Sequence, residues 1–206
     1  FQLRALRELG GWDAFNVTED ADLGIRLARR RLRVEILQSR TRETAPTRLL
    51  PWLGQRARWM KGWMQTFIVH NRDPGRLLEE MGLPAFLAFE ALVLGMIVAP
   101  VLHCAFLLSV LLRILWGAVL IDGSLGTVFY RAVLFMGYGS GFAMTALGLR
   151  RLGRVSLLPA QFWLPAYWLL IGFATIRALL ELVLRPFYWY KSPHQPVRAG
   201  RARHPV

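Results

Sequence analysis

The hydrophobic positions divide the chain into a mixed first part and a largely apolar second part. In residues 1–9, leucines recur every third position with arginines between them, which predicts a short helix. Gly10-Gly11 predict its end, because glycine accepts the backbone conformation of a C-terminal cap. Residues 32–37 alternate apolar and charged side chains and predict a short strand. Residues 55–67 contain no proline and only one glycine, so they predict another helix.

A polar boundary at residues 71–82 separates these elements from long apolar stretches. About 20 apolar residues are enough to cross a bilayer as a helix, so these stretches predict an integral membrane protein. We place a turn between the first two stretches at Pro100 and His103. The predicted membrane spans cover residues of about 84–102, 104–121, 128–148 and 159–180.

Composition narrows the choice of partners. Hydrophobic residues make up 54% of the 206 residues, and the formal net charge is +13. A basic protein can bind nucleic acid, anionic lipid or a nucleotide-sugar. With so much apolar sequence, we expect lipid headgroups and a diphosphate as partners, and no nucleic acid. The single Cys104 lies in an apolar run and gives no information on the redox compartment.

The helix predicted over residues 55–67 begins with side chains suited to a sugar phosphate. At helical spacing Gln55, Arg58 and Trp59 share one face, while Arg56 is predicted to point elsewhere. An arginine can bind phosphate oxygens in a bidentate way, and an indole offers a flat apolar surface to a sugar ring. The same pattern also fits an amphipathic helix on a membrane surface, with Arg and Trp at the level of the headgroups.

Acidic residues gather where another helix is predicted to begin. Thr18 is the expected N-cap, and Glu19, Asp20 and Asp22 fall in the first turn. There the carboxylates complement the helix dipole. A carboxylate held rigidly at such a place could also take a proton from an attacking hydroxyl, which makes Asp20 a candidate general base.

The order of three motifs resembles a known family. Gly10-Gly11-Trp12-Asp13, then Thr18-Glu19-Asp20-Ala21-Asp22-Leu23-Gly24, then Gln55-Arg56-Ala57-Arg58-Trp59 are similar to the processive family-2 glycosyltransferases. Cellulose, hyaluronan and poly-N-acetylglucosamine synthases belong to that family. The resemblance covers residues 1–82 by motif and the remainder by architecture.

The resemblance implies an α-rich membrane protein. Its first part would be the C-terminal part of a GT-A α/β glycosyltransferase domain, followed by about four transmembrane helices. Residues 1–82 would belong to the cytosolic catalytic domain with interfacial helices. Residues 83–184 would form the transmembrane region, and residues 185–206 a basic C-terminal tail.

The resemblance also implies an activity, the inverting transfer of a sugar from a nucleotide-sugar donor, expected to be a UDP-sugar. The acceptor would be a growing polysaccharide or a lipid-linked glycan. Thr18, Glu19 and Asp20 match the motif that supplies the catalytic base in the family, which implies that Asp20 is the base. The positions of Gln55, Arg58 and Trp59 match the motif beside the acceptor and the diphosphate.

Two alternatives stay open at this point. One is a transferase that adds a single sugar to a polyprenyl-linked acceptor. The other is a non-catalytic membrane transport or scaffold protein that has kept the motifs.

Family members use Mg²⁺ or Mn²⁺ held by a D-x-D motif. This chain has no such motif before Thr18, and Asp20-Ala21-Asp22 falls within the catalytic motif. We therefore expect no metal site in this chain. Because it opens on Phe1, we also expect it to be the C-terminal part of a longer enzyme and to be inactive alone.

The expected location is the inner, or plasma, membrane of a bacterium, with several membrane passes and a cytosolic catalytic part. Residues 185–195 resemble the ending of a bacterial branch of the family, although Ser192 and Gln195 depart from it. We interpret the Trp, Tyr and Lys residues of this ending as a membrane anchor.

Four spans would return the basic tail to the cytosol, as the positive-inside rule favours. The same count would place Arg150, Arg151 and Arg154 outside, against that rule. Either these arginines lie re-entrant near the cytosolic face, or one predicted span is wrong.

Overall fold

The structure is a computed structural model of the chain, and it describes residues 2–35, 37, 39, 46–116 and 124–191. Every regular element within these ranges is helical. The α-helices are α1 Leu3–Glu8, α2 Glu19–Arg29, α3 Leu49–His70, α4 Pro74–Met81, α5 Leu83–Phe89, α6 Gly95–Leu115, α7 Leu125–Arg151 and α8 Leu164–Leu184. A π-helical turn, Glu90–Leu94, joins α5 to α6, and a 3-10 segment, Val155–Trp163, precedes α8.

The first predicted helix is confirmed as α1. It ends at Gly10 and Gly11, whose φ angles of 79° and 78° suit glycine best. The predicted strand over residues 32–37 is not seen at its described positions, 32–35 and 37. A strand needs a neighbouring strand for its backbone hydrogen bonds, and the described part of the chain contains no strand to pair with it. The α/β character expected of a GT-A domain is likewise absent from the described residues.

The helix predicted over residues 55–67 is confirmed and is longer than predicted. It is α3, 22 residues from Leu49 to His70. The next helix, α4, begins at Asp73, whose carboxylate accepts a hydrogen bond of 3.0 Å from the backbone N–H of Arg76. Pro74 follows in the first turn, where its missing N–H leaves no helical hydrogen bond unmade.

Three helices are long and apolar enough to cross a membrane: Leu83–Leu115, Leu125–Arg151 and Val155–Leu184. The described residues therefore hold three such helices where four spans were predicted. The predicted turn between the first two spans is wrong, because α6 continues through Pro100 to Leu115. A proline inside a helix removes one backbone hydrogen bond, and this loss does not end α6 at Pro100.

The chain forms two compact units. The first comprises residues 1–93 and 177–206, and the second comprises residues 94–176. This division is separate from the predicted one at residues 82 and 184, which stays a prediction. In the first unit, Leu23 and Leu27 of α2 are buried with Leu77 of α4 and with Ala57 and Met64 of α3.

In the second unit α6 runs antiparallel to α7. The Ser109 and Tyr130 hydroxyls lie 3.1 Å apart. Nearer the start of α6 and the end of α7, the rings of His103 and Tyr138 are 5.7 Å apart. Trp168 of α8 packs against the His103 ring. Helix α7 passes Trp168 at Gly141, where a methyl group would lie 2.6 Å from the indole. Small residues allow this close approach of helices.

Candidate functional site

Residues 16–20, which we term the acidic turn, connect the loop after α1 to the start of α2. Its inner half is fixed: the Asn16 amide donates a hydrogen bond of 2.9 Å to the Thr66 hydroxyl of α3. The side-chain oxygen of Asn16, Oδ1, accepts a hydrogen bond of 2.9 Å from the backbone N–H of Thr18. Asn16 and Thr18 are buried, whereas Glu19 and Asp20 are exposed. The turn therefore anchors itself on α3 and presents its two carboxylates outward.

Thr18 occupies the predicted N-cap position of α2, but its side chain does not cap the helix. The hydroxyl instead donates to Asn16 Oδ1 at 3.3 Å and lies against Gly62 of α3. A methyl group on Gly62 would overlap the Thr18 hydroxyl. Gly62 is thus the point at which the acidic turn and α3 approach most closely.

Arg58 brings the two predicted motifs together. Its Nη1 donates a hydrogen bond of 3.0 Å to the carbonyl oxygen of Val17, inside the acidic turn. Burial lowers the pKa of the Arg58 guanidinium, and the neighbouring charges of Glu19 and Asp20 oppose that lowering. An arginine stays protonated at any physiological pH, so a fixed cation stands beside the two exposed carboxylates.

Trp59, the next residue, has 38% of its surface exposed. The prediction that Arg56 points elsewhere is wrong, because its guanidinium lies 4.3 Å from the centroid of the Trp59 ring and 5.4 Å from that of Trp52. This stacking limits the motion of the indole through a cation–π contact. Gln55 lies one turn earlier on α3 and is half-buried.

A buried polar network holds the rear of α2. His70, at the end of α3, has Nε2 at 3.0 Å from Asp22 Oδ1 and Nδ1 at 3.0 Å from Arg29 Nη1. Arginine can only donate, so Nδ1 accepts and Nε2 carries the proton that His70 donates to Asp22. Arg29 also donates to Glu80 of α4, and this bond ties α2, α3 and α4 together.

Asp22 is ionised within this network. Burial alone would raise its pKa, but the hydrogen bond from His70 and the charge of Arg26 outweigh burial and lower the pKa below the ordinary aspartate value. Arg26 Nε donates to Asp22 Oδ2 at 2.8 Å. Asp22 therefore serves the packing of α2, two residues away from the exposed Asp20.

A cavity of about 650 Å³ lies in the first unit beside this network. Its wall includes Asp22, Arg26 and Arg29 of α2 together with His70. None of the six predicted site residues lines it. The predicted site is instead the exposed surface formed by the acidic turn and the first half of α3.

The residues that position this surface were not predicted from the sequence. Asn16 has a recognisable signal, because the side chain of an asparagine in a turn often accepts a hydrogen bond from the backbone N–H two residues later. Gln65 and His70 have no local signal, because their partners lie 48 residues away in the sequence.

The described residues contain no group of three or more His, Cys, Asp or Glu side chains placed to hold a metal ion. Glu19 and Asp20 stand beside the Arg58 cation. Both oxygens of Asp22 already have partners, Oδ1 in the hydrogen bond with His70 and Oδ2 in the ion pair with Arg26. These carboxylates by themselves do not fit a divalent cation, which needs several oxygen ligands around one point.

Comparison with protein families identifies the family of the chain. A family model described as glycosyl transferase family group 2 matches residues 1–189. Proteins of curated function and solved structures give no match.

The close approach at Gly62 yields a first prediction. Gly62→Ala should force α3 and the acidic turn apart, because the added methyl group overlaps Thr18. Overpacking of this kind costs about 1–3 kcal/mol. We expect a lower melting temperature in detergent and a loss of sugar transfer of about tenfold or more. The matched control is Gly137→Ala in α7, where an added methyl meets no atom within 4 Å. Equal behaviour of the two variants would contradict the close packing.

The Asp22 network yields a pH prediction. A carboxylate whose pKa is lowered in the folded protein contributes stability above its unfolded pKa and loses it as the pH falls through the folded pKa. The unfolded value is that of an ordinary aspartate, 3.8. Asp22→Asn should therefore reduce stability at neutral pH, by about 3 kcal/mol, and flatten the loss of stability below about pH 4.

The measurement is thermal unfolding of the purified protein between pH 3 and 7. Asp73→Asn is the control, because Asp73 is exposed and asparagine caps a helix equally well. An Asp22→Asn profile parallel to that of the parent would show that the carboxylate adds no pH-dependent stability.

Proposed function

Because the chain belongs to the glycosyl transferase family group 2, we propose that it transfers sugars at a membrane with inversion at the anomeric carbon. The proposed donor is a UDP-sugar and the acceptor a growing polysaccharide, as in the processive synthases that the motifs resemble. The observation that carries the proposal is the meeting of Arg58 with the acidic turn. The Arg58 guanidinium stands beside the exposed carboxylates of the turn, and the partly exposed Trp59 follows it in α3.

In the proposed step Asp20 takes the proton of the acceptor hydroxyl. The hydroxyl oxygen forms a bond to the anomeric carbon of the donor, and the bond from that carbon to the diphosphate breaks. The diphosphate leaves with the electron pair. Asp20 suits the role because it is exposed at the start of α2, and its Oδ1 is held by the Ala21 N–H at 2.9 Å. Attack from the face opposite the leaving group inverts the configuration.

Arg58 and Trp59 supply the remaining parts of the site. Arg58 would stabilise the negative charge that builds on the leaving diphosphate, since it is preorganised by its bond to Val17. Trp59 would support an acceptor sugar on its exposed indole surface, and Gln55 would donate or accept a hydrogen bond beside it. Thr18 and Glu19 shape the turn that presents Asp20.

Every regular element of the described residues is helical, so the sheet of a GT-A domain would lie outside the described residues. The Mg²⁺ or Mn²⁺ that the family uses would likewise be held outside the described residues. The steps above use only side chains of this chain.

We further propose a multi-pass arrangement in the plasma membrane, with the catalytic residues on the cytosolic side. Exposed apolar side chains such as Phe129, Phe135 and Met136 of α7 support a lipid-facing surface. Because α6 and α7 are antiparallel, α7 ends on the side where α6 begins. That end carries Arg150 and Arg151, with Arg154 three residues beyond it.

The connection from α7 to α8 must then turn back. His103 and Cys104 of α6 contact Trp168 and Leu169, while Pro100, one turn earlier, contacts Gly172. Helix α8 is therefore antiparallel to α6 as well, and it ends on the same side as α7. Residues 152–163 return at least to the depth of His103. The antiparallel course of α6 and α7 would keep the three arginines on the cytosolic side, in agreement with the positive-inside rule, and the re-entrant path would return the end of α8 to that side.

The test of the reaction is Asp20→Asn in the intact membrane protein. Asparagine keeps the shape and hydrogen bonding of the side chain but cannot accept the proton, so turnover should fall at least about a thousandfold while UDP affinity stays within about twofold. Product length in the parent distinguishes polymer synthesis from the addition of one sugar to a polyprenyl-linked acceptor. Turnover within tenfold of the parent would remove Asp20 from the mechanism. A parent without any transfer activity would favour a transport or scaffold role.

The test of the membrane arrangement uses single cysteines in a Cys104→Ser background. Arg154→Cys should react with a membrane-impermeant maleimide in inside-out vesicles and stay protected in right-side-out vesicles. Ser124→Cys, at the opposite end of α7, should show the reverse. Reaction of Arg154→Cys from the outside would contradict the cytosolic placement of the end of α7.

A further inference from the structure

Residues 185–191, which follow α8, pack against α3 and the acidic turn, and we term them the strap. The link is direct at Gln65 of α3. Its Oε1 accepts a hydrogen bond of 3.2 Å from the Val17 backbone N–H in the acidic turn. Its Nε2 donates one of 3.0 Å to the carbonyl oxygen of Pro186 in the strap. One amide thus contacts both segments at once.

Lys61, one turn earlier on α3, fixes the strap at a second point. Its side chain is fully buried, and its ammonium donates a hydrogen bond to the carbonyl oxygen of Tyr188. The Oε2 of Glu181 in α8 lies 3.6 Å from Lys61 Nζ. A buried ammonium is tolerated only when it is paired, so release of the Tyr188 carbonyl would leave this charge under-solvated.

Two aromatic contacts complete the attachment. Phe187 of the strap meets Phe15, just before the acidic turn, edge to face at 5.9 Å between centroids. Tyr190 lies against Gly54, where a methyl group would come within 2.5 Å of the Tyr190 ring. Gly54 immediately precedes Gln55, so the strap touches α3 where the predicted substrate-binding residues begin.

We propose that Gln65 is a positioning residue that couples the strap to the acidic turn, with Lys61 as the anchor of the strap on α3. The strap directly follows residues 177–184, the part of α8 that belongs to the first unit, so the position of this helix end affects the backbone that carries Asp20. This inference rests on the proposed function. It differs from the membrane-anchor interpretation of the same residues, because the carbonyls of Pro186 and Tyr188 bond to protein side chains.

The coupling predicts a specific effect of Gln65→Glu. The carboxylate still accepts from Val17 N–H, but it has no donor for the Pro186 carbonyl and repels it. The strap link is therefore lost while the link to the acidic turn remains. In the intact protein we expect kcat to fall about tenfold with the KM for the UDP-sugar within about twofold, since misplacement of the base affects turnover and leaves the donor site intact. Gln2→Glu, an exposed substitution of equal charge, should match the parent.

A double-mutant cycle gives a second readout that does not depend on a buried position. Phe15 and Phe187 are 71% and 70% exposed, so Phe15→Leu and Phe187→Leu should both fold. If the two single variants act independently, the fold-loss of kcat in the double variant equals the product of the two single fold-losses. If the strap and the acidic turn act together, we expect the loss in the double variant to be about threefold smaller than that product.

The outcomes separate the two proposals. If Asp20→Asn abolishes transfer but Gln65→Glu keeps the parent kcat, or if the cycle shows independent effects, the strap proposal is overturned and the proposed reaction stands. A change of melting temperature with kcat unchanged would likewise overturn it, since Gln65 would then be structural only. If the parent makes no glycan product at all, the proposed function itself fails.

Discussion

The contact between the acidic turn and α3 is the constraint on which the rest of the candidate site depends. It is possible only because Gly62 has no side chain where Thr18 arrives. Once the two backbones are that close, Asn16 reaches Thr66, and Arg58 reaches the Val17 carbonyl. A short loop and a long helix thereby become one rigid surface. The exposed carboxylates gain their direction from bonds made on the buried side of the turn.

Polar networks lie behind this surface beside the buried apolar side chains. Two buried charged groups there have partners. Asp22 is matched by His70 and Arg26, and Lys61 by Glu181 and a backbone carbonyl. Such networks tolerate few rearrangements, because breaking one bond leaves another group unsatisfied. They therefore hold the site in a defined geometry.

The sequence predicted those features that depend on local pattern. The helix of residues 55–67, the end of α1 at Gly10 and the start of α2 after Thr18 follow from periodicity and from the preferences of glycine and acids. The predicted strand over residues 32–37 had alternation but no pairing partner among the described residues, and alternation alone does not make a sheet.

Long-range contacts account for what could not be predicted. The strap looks like a membrane anchor because Trp, Tyr and Lys favour an interface, and composition does not reveal that its carbonyls meet Lys61 and Gln65. In the same way, Pro100 looks like a turn, although a proline in an apolar helix costs only one hydrogen bond where no water competes. In both cases the residue type indicates a local preference, and the surroundings of the residue decide the outcome.

The direction of the helices in the second unit supports the proposed topology. The four predicted spans would place Arg150 and Arg151 outside, whereas one continuous helix over Leu83–Leu115 removes one crossing before them. The contacts of α6 with α7 and α8 make both later helices end on the side where α6 begins. The chain after Arg154 must then travel back before α8 starts, and the nine-residue 3-10 segment, which rises about 2 Å per residue, covers that distance with fewer residues than an α-helix would.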